Sequence, residues 1–388
     1  MSVTAPRGFV ASGVHCGIRK QDRLDLALVR SLPPATGAGM FTANRFLAAP
    51  VVVSREHLER AQPQAVVANS GVANAATGER GLADARATAA ETAGVLGLEP
   101  EQVLVLSTGV IGAPLPLEKV VSGVRAAAGA LEAKGGDDAA RAIMTTDTRP
   151  KQAVARGSGF AVGGMAKGSG MIHPHLATML AVVTTDYPLE PGEALDFLRP
   201  AVDASFNAIS VDGECSTNDT VLLLVNGASG MARTPAADEE FALCLRTVCG
   251  QLAKQIVADG EGATVLAEIS VRGAASDGEA HAIAERVATS PLVKTALYGH
   301  DANWGRIAAA AGSAKFAGGF AALDPARLTI AIDGVPVLVD GSPSGDEPSL
   351  TNGSCVIDLD LALGDGAARY LTTDLSYDYV RINAEYRS

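Results

Sequence analysis

The glycine-rich stretch that ends at Thr178 contains the residue types best suited to covalent chemistry. Residues 164–180 read GMAKGSGMIHPHLATML, with the small residue Ala177 directly before Thr178. Glycines allow unusual backbone dihedrals and Pro174 fixes one φ, so strain at the Ala177–Thr178 bond would favour attack by the threonine hydroxyl on the preceding carbonyl. Hydrolysis would then leave Thr178 at a new amino terminus. A threonine that opens a strand after a glycine loop also has a purely structural interpretation.

A hydroxyl nucleophile needs a group that takes its proton, and the sequence offers few conventional ones. It contains no GxGxxG, P-loop, HExxH or GxSxG motif, and its histidines are scattered apart from His173 and His175. That pair could bind zinc, but no third ligand has a matching spacing, and two loop histidines beside a proline are the simpler interpretation. The α-amine of Thr178 is an alternative base, because such amines have a pKa of about 7.7–8.0.

Composition and charge exclude several classes of protein. The chain has 388 residues, 47% hydrophobic and 19% charged, with a formal net charge of −12 and no basic run, which argues against a nucleic-acid partner. Five widely spaced cysteines without a CxxC pair indicate free thiols in a reducing compartment. The amino terminus lacks a signal peptide, and no apolar run reaches the roughly 20 residues of a membrane helix. We therefore predict a cytoplasmic protein without a membrane partner.

The hydrophobic periodicity predicts an α/β protein with few aromatic residues in its core. The pattern predicts strands at 51–54, 65–69, 103–106 and 178–183, helices at 82–96, 191–204 and 239–258, and a hairpin of strands 328–332 and 335–339. Gly97 is expected to cap the first of these helices, and Asp333-Gly334 to form the hairpin turn.

Several blocks, in order over essentially the whole chain, resemble the bacterial ornithine acetyltransferase family, also called glutamate N-acetyltransferases (ArgJ). They are residues 41–44 (FTAN) with 48–51 (AAPV), 69–74 (NSGVAN), 107–112 (STGVIG), 144–148 (MTTDT), 167–180, 211–213 (VDG) with 216–220 (STNDT), 259–264 (DGEGAT), 301–307 (DANWGRI), and 379–380 (YV) with 383–386 (NAEY). The resemblance implies an enzyme that cuts itself between Ala177 and Thr178. Thr178 would then carry an acetyl group from N2-acetyl-L-ornithine to L-glutamate in a ping-pong reaction of arginine biosynthesis.

The resemblance also implies roles for individual residues. Thr108 and Gly109 match the oxyanion hole, whose donors stabilise the tetrahedral intermediate. The residues that match substrate-binding positions are Thr145, Lys167, Thr178, Glu261, Asn383 and Ser388. A lysine suits the substrate carboxylate, and Glu261 could pair with the ornithine δ-ammonium. No metal or cofactor is implied.

The implied fold is a layered α/β sandwich of the self-cleaving N-terminal-nucleophile type. It would comprise an α chain of residues 1–177, a β chain of residues 178–388, a smaller C-terminal domain from about residue 290, and an assembly of two α and two β chains. Acetyl-CoA stays open as a second acetyl donor.

The chain departs from the family pattern at Val72, Val265 and Ala302. Val265 stands where a lysine is usual, close to Glu261, which leaves the acceptor range open. Three other interpretations stay open: an aminopeptidase or amidase of the same architecture, an acetyltransferase of secondary metabolism with another acceptor, and a binding module without activity. Measuring acetyl transfer to glutamate against acetate release distinguishes the acetyltransferase from an aminopeptidase or amidase. A chain that stays uncut indicates a binding module.

Overall fold

The computed structural model describes residues 2–19, 23–173, 179–346, 348–350 and 353–385. The strands among them are β1 (Phe9–Val14), β2 (Leu26–Ser31), β3 (Thr36–Phe41), β4 (Ala65–Val72), β5 (Val103–Val110), β6 (Lys151–Arg156), β7 (Ala161–Lys167), β8 (Leu180–Thr185), β9 (Thr220–Val225), β10 (Leu266–Ala274), β11 (Lys315–Phe316), β12 (Gly319–Phe320), β13 (Thr329–Ile332), β14 (Val335–Val339), β15 (Ser342–Pro343), β16 (Ser354–Asp360) and β17 (Gly366–Thr373). The α-helices are α1 (Ala49–Arg60), α2 (Gly78–Leu96), α3 (Leu117–Gly129), α4 (Gly136–Ala142), α5 (Ala194–Asp203), α6 (Pro235–Val257), α7 (Asp277–Ala288), α8 (Pro291–Tyr298), α9 (Trp304–Ala311) and α10 (Tyr377–Glu385).

Two sheets pack face to face in the first two thirds of the chain. One has the strand order β1-β2-β4-β5 and the other the order β3-β9-β8-β7-β6. Their facing side chains form one core, in which Val29 and Leu104 of the first sheet join Val182 and Leu222 of the second. The alternation of side chains along each strand leaves a second apolar set on the outer face of each sheet.

Helices cover both outer faces. On the first sheet, Val67 and Val105 pack with Ala93 of α2 and Val124 of α3. On the second sheet, Val183 and Leu223 pack with residues of α5 and α6. The result is a helix–sheet–sheet–helix arrangement, which confirms the predicted layered α/β sandwich.

A further sheet, in the order β15-β14-β13-β16-β10-β17, forms a separate core with α7, α8 and α9. It is tied to the sandwich where Ser210 N–H donates to Leu371 O at 2.9 Å and Tyr370 Oη donates to Ile209 O at 3.3 Å. The domain start near residue 290 stays a prediction. Because this core already includes β10 and α7, the packing favours a start upstream of Leu266.

Most predicted elements are confirmed. The predicted helix 82–96 is part of α2, and Gly97 caps it in the left-handed conformation with φ +68°. The predicted hairpin forms from β13 and β14, with φ of +48° at Asp333 and +79° at Gly334. The other two predicted helices are α5 and α6, and strand β8 starts at Leu180. The predicted strand start at Thr178 lies outside the described residues.

The predicted strand at 51–54 is wrong, because these residues belong to helix α1. Pro50 occupies the first turn of this helix, where a proline is tolerated. Ser54 Oγ donates to Val105 O at 2.8 Å, and His57 Nδ1 lies 2.8 Å from Val103 O, so the helix packs along β5. Tertiary contacts thus override the local β preference of three successive valines.

The cysteines are free thiols, as predicted, and those at 244, 249 and 355 are buried. None of the helices within the described ranges combines the length and apolar character that crossing a bilayer requires.

Leucine-to-alanine changes on α6 test which face of this helix holds the sandwich together. Leu245 is fully buried, whereas Leu243 is 57% exposed. Leu245→Ala should lower the free energy of unfolding by about 2–5 kcal/mol, because it leaves a cavity in the core. Leu243→Ala should change it by no more than about 0.5 kcal/mol. Urea unfolding measures both, and equal losses would contradict the packing described here.

Candidate active site

The predicted site residues come together at one pocket of about 90 Å³, beside the edge where the sandwich meets the second core. Its described lining residues are Ala73, Thr108, Gly109, Ile111, Thr145, Thr146, Lys167, Gly170, Met171, Ser216, Asn218, Glu261 and Asn383. This list includes every predicted site residue that the structure describes. Ala177, Thr178 and Ser388 lie outside the described residues.

Thr108 and Gly109 end strand β5 at the pocket wall. Gly109 has φ +130°, a backbone conformation that L side chains rarely adopt. A Cβ at this position would lie 2.6 Å from Gly71 O and 2.6 Å from Val72 N, because a bulge brings the end of β4 against it. Only glycine fits there, so the main chain borders the pocket directly.

Asn218 fixes this strand end from the opposite side. Its Nδ2 donates to Ala73 O at 2.7 Å and to Ser107 O at 2.9 Å. Ser107 Oγ in turn donates to Asn69 Oδ1 at 2.6 Å. The carbonyl before Thr108 is therefore held by a buried hydrogen-bond network, which also orients the Thr108 amide group.

A buried ion cluster supports the loop that carries Thr145. Lys151 Nζ donates to Asp147 Oδ1 at 2.5 Å and to Asp259 Oδ2 at 2.6 Å, and none of the three side chains is more than slightly exposed. Asp147 also accepts the N–H of Thr145 at 2.9 Å and of Gly168 at 2.8 Å. One carboxylate thus joins the Thr145 loop to the residue that follows Lys167.

The environment of Asp147 keeps this carboxylate ionised. Burial opposes ionisation, but the charges of Lys167 and Lys151 and the Gly168 N–H outweigh it and hold the pKa of Asp147 at about 2. The Asp147 carboxylate is therefore charged at any pH at which the protein would work.

Lys167 ends strand β7 and is 2% exposed. Burial lowers the pKa of Lys167, and the negative charges of Asp147, Asp219 and Glu261 act in the opposite direction. Among the residues that the structure describes, none forms a hydrogen bond or a close ion pair with its ammonium group. An anionic group that enters the pocket would favour the charged form of this lysine and could bind it.

Glu261 faces the pocket from the turn between α6 and β10. Its N–H donates to Ser169 O at 2.8 Å, and its side chain lies against Gly170, where a Cβ would come within 2.5 Å of Glu261 Cδ. Asn383 Nδ2 donates to Glu261 Oε2 at 2.9 Å. A side chain at position 170 would therefore have to displace the Glu261 carboxylate from its present position.

Asn383 reaches Glu261 from helix α10, which has no buried residue. Ser376 Oγ, just before this helix, donates to Gly262 O at 2.6 Å and accepts the Tyr379 N–H at 3.1 Å. Tyr379 Oη donates to Asp212 Oδ2 at 3.2 Å. Polar contacts, rather than apolar burial, hold this wall of the pocket.

Val265 does not alter the charge of the pocket. Its side chain is 4% exposed and packs in the separate core that the six-stranded sheet forms with α7, α8 and α9. Its N–H donates to Asp374 Oδ1 at 3.0 Å. The valine that departs from the family pattern therefore points away from Glu261.

Sequence reasoning missed the pocket roles of Thr146, Ser216 and Asn218, although all three belong to the blocks that carry the family resemblance. Thr146 Oγ1 lies 2.6 Å from Ser169 Oγ. Strings such as TTDT and STNDT signal a polar loop, but nothing in them says which hydroxyl faces a ligand.

The His173 ring lies 3.4 Å from Glu285 Oε1, and the described residues contain no group of three or more metal ligands.

The structure is a four-layer α/β sandwich with a small pocket at its edge. The pocket contains a buried lysine, a carboxylate and a strand end that carries a glycine. These features are typical of an enzyme that acts on a small charged molecule. The ArgJ family profile matches residues 10–388. The chain belongs to the ArgJ family.

Similar proteins include two named arginine biosynthesis bifunctional protein ArgJ. The one from Symbiobacterium thermophilum is 48% identical over 400 residues, covering 100% of this chain and 98% of the relative. The one from Streptomyces coelicolor is 46% identical over 392 residues and covers all of both chains. A solved ornithine acetyltransferase from Mycobacterium tuberculosis, complexed with ornithine, is 43% identical over 46% of this chain and 96% of that chain, with a TM-score of 0.44.

Asp147→Asn tests the buried ion cluster. The folded-state pKa of about 2 lies below the ordinary 3.8, so the ionised side chain stabilises the fold by about 2–3 kcal/mol at neutral pH. This contribution is complete above about pH 4 and is lost as the pH falls towards 2. In urea unfolding, the deficit of Asp147→Asn should therefore be large at pH 7 and small near pH 2.5. The exposed Asp365→Asn is the control, and a deficit independent of pH would refute the account.

Proposed function

We propose that this chain is a glutamate N-acetyltransferase that cuts itself between Ala177 and Thr178 and moves an acetyl group from N2-acetyl-L-ornithine to L-glutamate. The observation that carries the proposal is the convergence of Thr108, Gly109, Thr145, Lys167, Glu261 and Asn383 on one pocket from distant parts of the chain. Membership of the ArgJ family supports it further.

The proposed reaction uses Thr178 as both nucleophile and base. Its Oγ attacks the acetyl carbonyl, and the hydroxyl proton passes to its own α-amine. The α-ammonium then protonates the departing amine of ornithine, which leaves acetyl-Thr178. The amine of glutamate attacks this ester and reverses the sequence. In support, no histidine is among the described residues that line the pocket.

Thr108 and Gly109 are the proposed oxyanion hole. The Thr108 hydroxyl and the Gly109 N–H would donate to the negative oxygen of each tetrahedral intermediate. Donors fixed in advance are worth about 2.7–4 kcal/mol each in such sites. The hydrogen bonds of Asn218 and the close packing of Gly71 against Gly109 supply the rigidity that this role demands.

The charges of the pocket suit an acetylated diamino acid. Lys167 would bind the substrate carboxylate, Glu261 the δ-ammonium of ornithine, and the Thr145 side chain a polar group of the substrate. Glutamate carries a carboxylate where ornithine carries its ammonium. The Asn383 amide donates to Glu261 Oε2 at 2.9 Å and to Tyr379 O at 3.1 Å, and it would exchange one of these bonds to donate to that substrate carboxylate. The C-terminal Ser388 completes the proposed substrate site.

The remaining parts of the proposal concern assembly and the second donor. Cleavage would give an α chain of residues 1–177 and a β chain of residues 178–388, and we propose a cytoplasmic heterotetramer of two of each. The relatives carry the word bifunctional in their names, and we propose acetyl-CoA as the additional acetyl donor.

Self-cleavage is the first test. Purified wild-type protein should give two fragments on a denaturing gel, with Thr178 at the amino terminus of the second, whereas Thr178→Ala should stay intact and inactive. The exposed Thr247→Ala on α6 should behave as wild type. Incubation with acetylornithine should add one acetyl group to the second fragment by intact mass. Full activity without cleavage would contradict the mechanism. Acetate release without transfer to glutamate would indicate an amidase instead.

Asn383→Ala tests the substrate pocket. Loss of the bond to Glu261 should lower kcat/KM for acetylornithine at least tenfold, about 1.4 kcal/mol of transition-state binding, while self-cleavage continues. Arg381→Ala is the matched control, because Arg381 lies on the same helix and its ion-pair partner among the described residues is Asp378, at 2.8 Å. Equal kinetics for the two variants would remove Asn383 from the site.

A further inference from the structure

Self-cleavage poses a problem that the transfer reaction does not. Before the chain is cut, the nitrogen of Thr178 is a peptide amide and cannot serve as a base. Attack by Thr178 Oγ on the Ala177 carbonyl still requires a proton to leave the hydroxyl and another to reach the departing nitrogen. The uncut chain therefore needs a separate proton carrier near this bond. The inference below rests on the proposed self-cleavage.

Asp219 is bonded to the residue directly after Thr178. Its Oδ1 accepts the Met179 N–H at 3.0 Å, and the neighbouring Thr220 N–H donates to Met179 O at 3.1 Å. Asp219 has no exposed surface, and its own carbonyl accepts the Thr42 N–H at 2.9 Å. The carboxyl group is thus fixed in position at the start of β8.

The second oxygen of Asp219 is unusual for a buried carboxyl. Oδ2 is buried and has no hydrogen-bond partner among the described residues. Such an atom destabilises the fold if it has no function and no further partner. Burial raises the pKa of Asp219 well above its ordinary value, although the Met179 N–H, Lys167 and the nearby Ser216 oppose this. The Asp219 carboxylate is therefore a stronger base than that of an exposed aspartate.

Asp212 provides a contrast, because it is bonded to residues that precede Thr178 in the sequence. It accepts the N–H of Met171 at 2.6 Å and of Ile172 at 2.8 Å, and it also bonds Glu214 N and Tyr379 Oη. Met171 has φ +56°, so this carboxylate holds a strained backbone. Both Asp212 oxygens are used in structural bonds, which leaves Asp219 as the flanking carboxyl with an unused oxygen.

We propose that Asp219 carries the proton during self-cleavage of the precursor. As the bond from Thr178 Oγ to the Ala177 carbonyl carbon forms, the hydroxyl proton passes to the ionised carboxylate of Asp219. As the bond from that carbon to the Thr178 nitrogen breaks, the carboxylic acid so formed gives this proton to the nitrogen. Asp219 ends the step in the protonation state in which it began, and water then hydrolyses the resulting ester.

The experiment follows the fraction of uncut chain with time after a pulse of expression, by denaturing gel and intact mass. Asp219→Asn keeps the shape and the acceptor for Met179 but carries protons poorly, so cleavage should slow at least 100-fold, the lower bound for general acid–base assistance. Asp219→Glu restores a carboxyl group and should cleave faster than Asp219→Asn. The exposed Asp365→Asn is the control and should cleave as fast as wild type.

Hydroxylamine separates this role from a structural one, because it cuts the ester formed by the acyl shift and not the amide. It should accelerate cleavage of wild type and leave Asp219→Asn uncut. Rapid cutting of Asp219→Asn by hydroxylamine would show that the shift proceeds without Asp219 and would overturn the proposal. So would an Asp219→Glu variant that melts as wild type yet cleaves no faster than Asp219→Asn. If wild type itself stays uncut, the proposed self-cleavage fails, and the role of Asp219 fails with it.

Discussion

The ion cluster of Lys151 with Asp147 and Asp259 is the interaction on which the pocket depends. Lys151 opens β6, Asp147 belongs to the loop before it, and Asp259 follows α6 and starts the turn to Glu261. Breaking a buried ion pair by removing one partner typically costs about 3–5 kcal/mol. The cluster therefore holds the Thr145 loop and the Glu261 turn in a fixed relative position. The negative charge of Asp147 also opposes the lowering of the Lys167 pKa by burial.

Elements with a local signal were predictable from the sequence. Helix α2 follows from an alanine-rich periodic segment that ends at a glycine, and the β13–β14 hairpin from an Asp-Gly pair that suits positive φ at both positions. Helix α1 was not predictable in this way. Its valines favour a strand, and the bonds of Ser54 and His57 to β5 that decide the outcome join residues about fifty positions apart.

The pocket was predictable only in part, because its residues are far apart in the sequence. Resemblance to a family identified Thr108, Lys167, Glu261 and Asn383, but no spacing in the sequence says that they meet. Gly170 is a clear case: the Glu261 carboxylate, far along the chain, occupies the space that a Cβ would take there. Asp219 lies in the block 216–220, but nothing in the sequence marks it or Lys151 as buried, since an acidic or basic residue is usually expected at the surface. Both residues matter because they are buried, and burial is a property of the folded chain.

Helix α10 has a consequence for how the pocket opens. It spans nine residues, buries none of them, and is attached through Ser376, Tyr379 and Asn383. Isolated helices of this length are marginal in water, so α10 belongs to the regions that open locally at little free-energy cost. Its amide hydrogens should exchange with solvent long before those of α6. The wall that carries Asn383 is thus the least protected part of the site, and fraying of the carboxyl-terminal helix offers a route by which small molecules enter and leave while the two facing sheets stay intact.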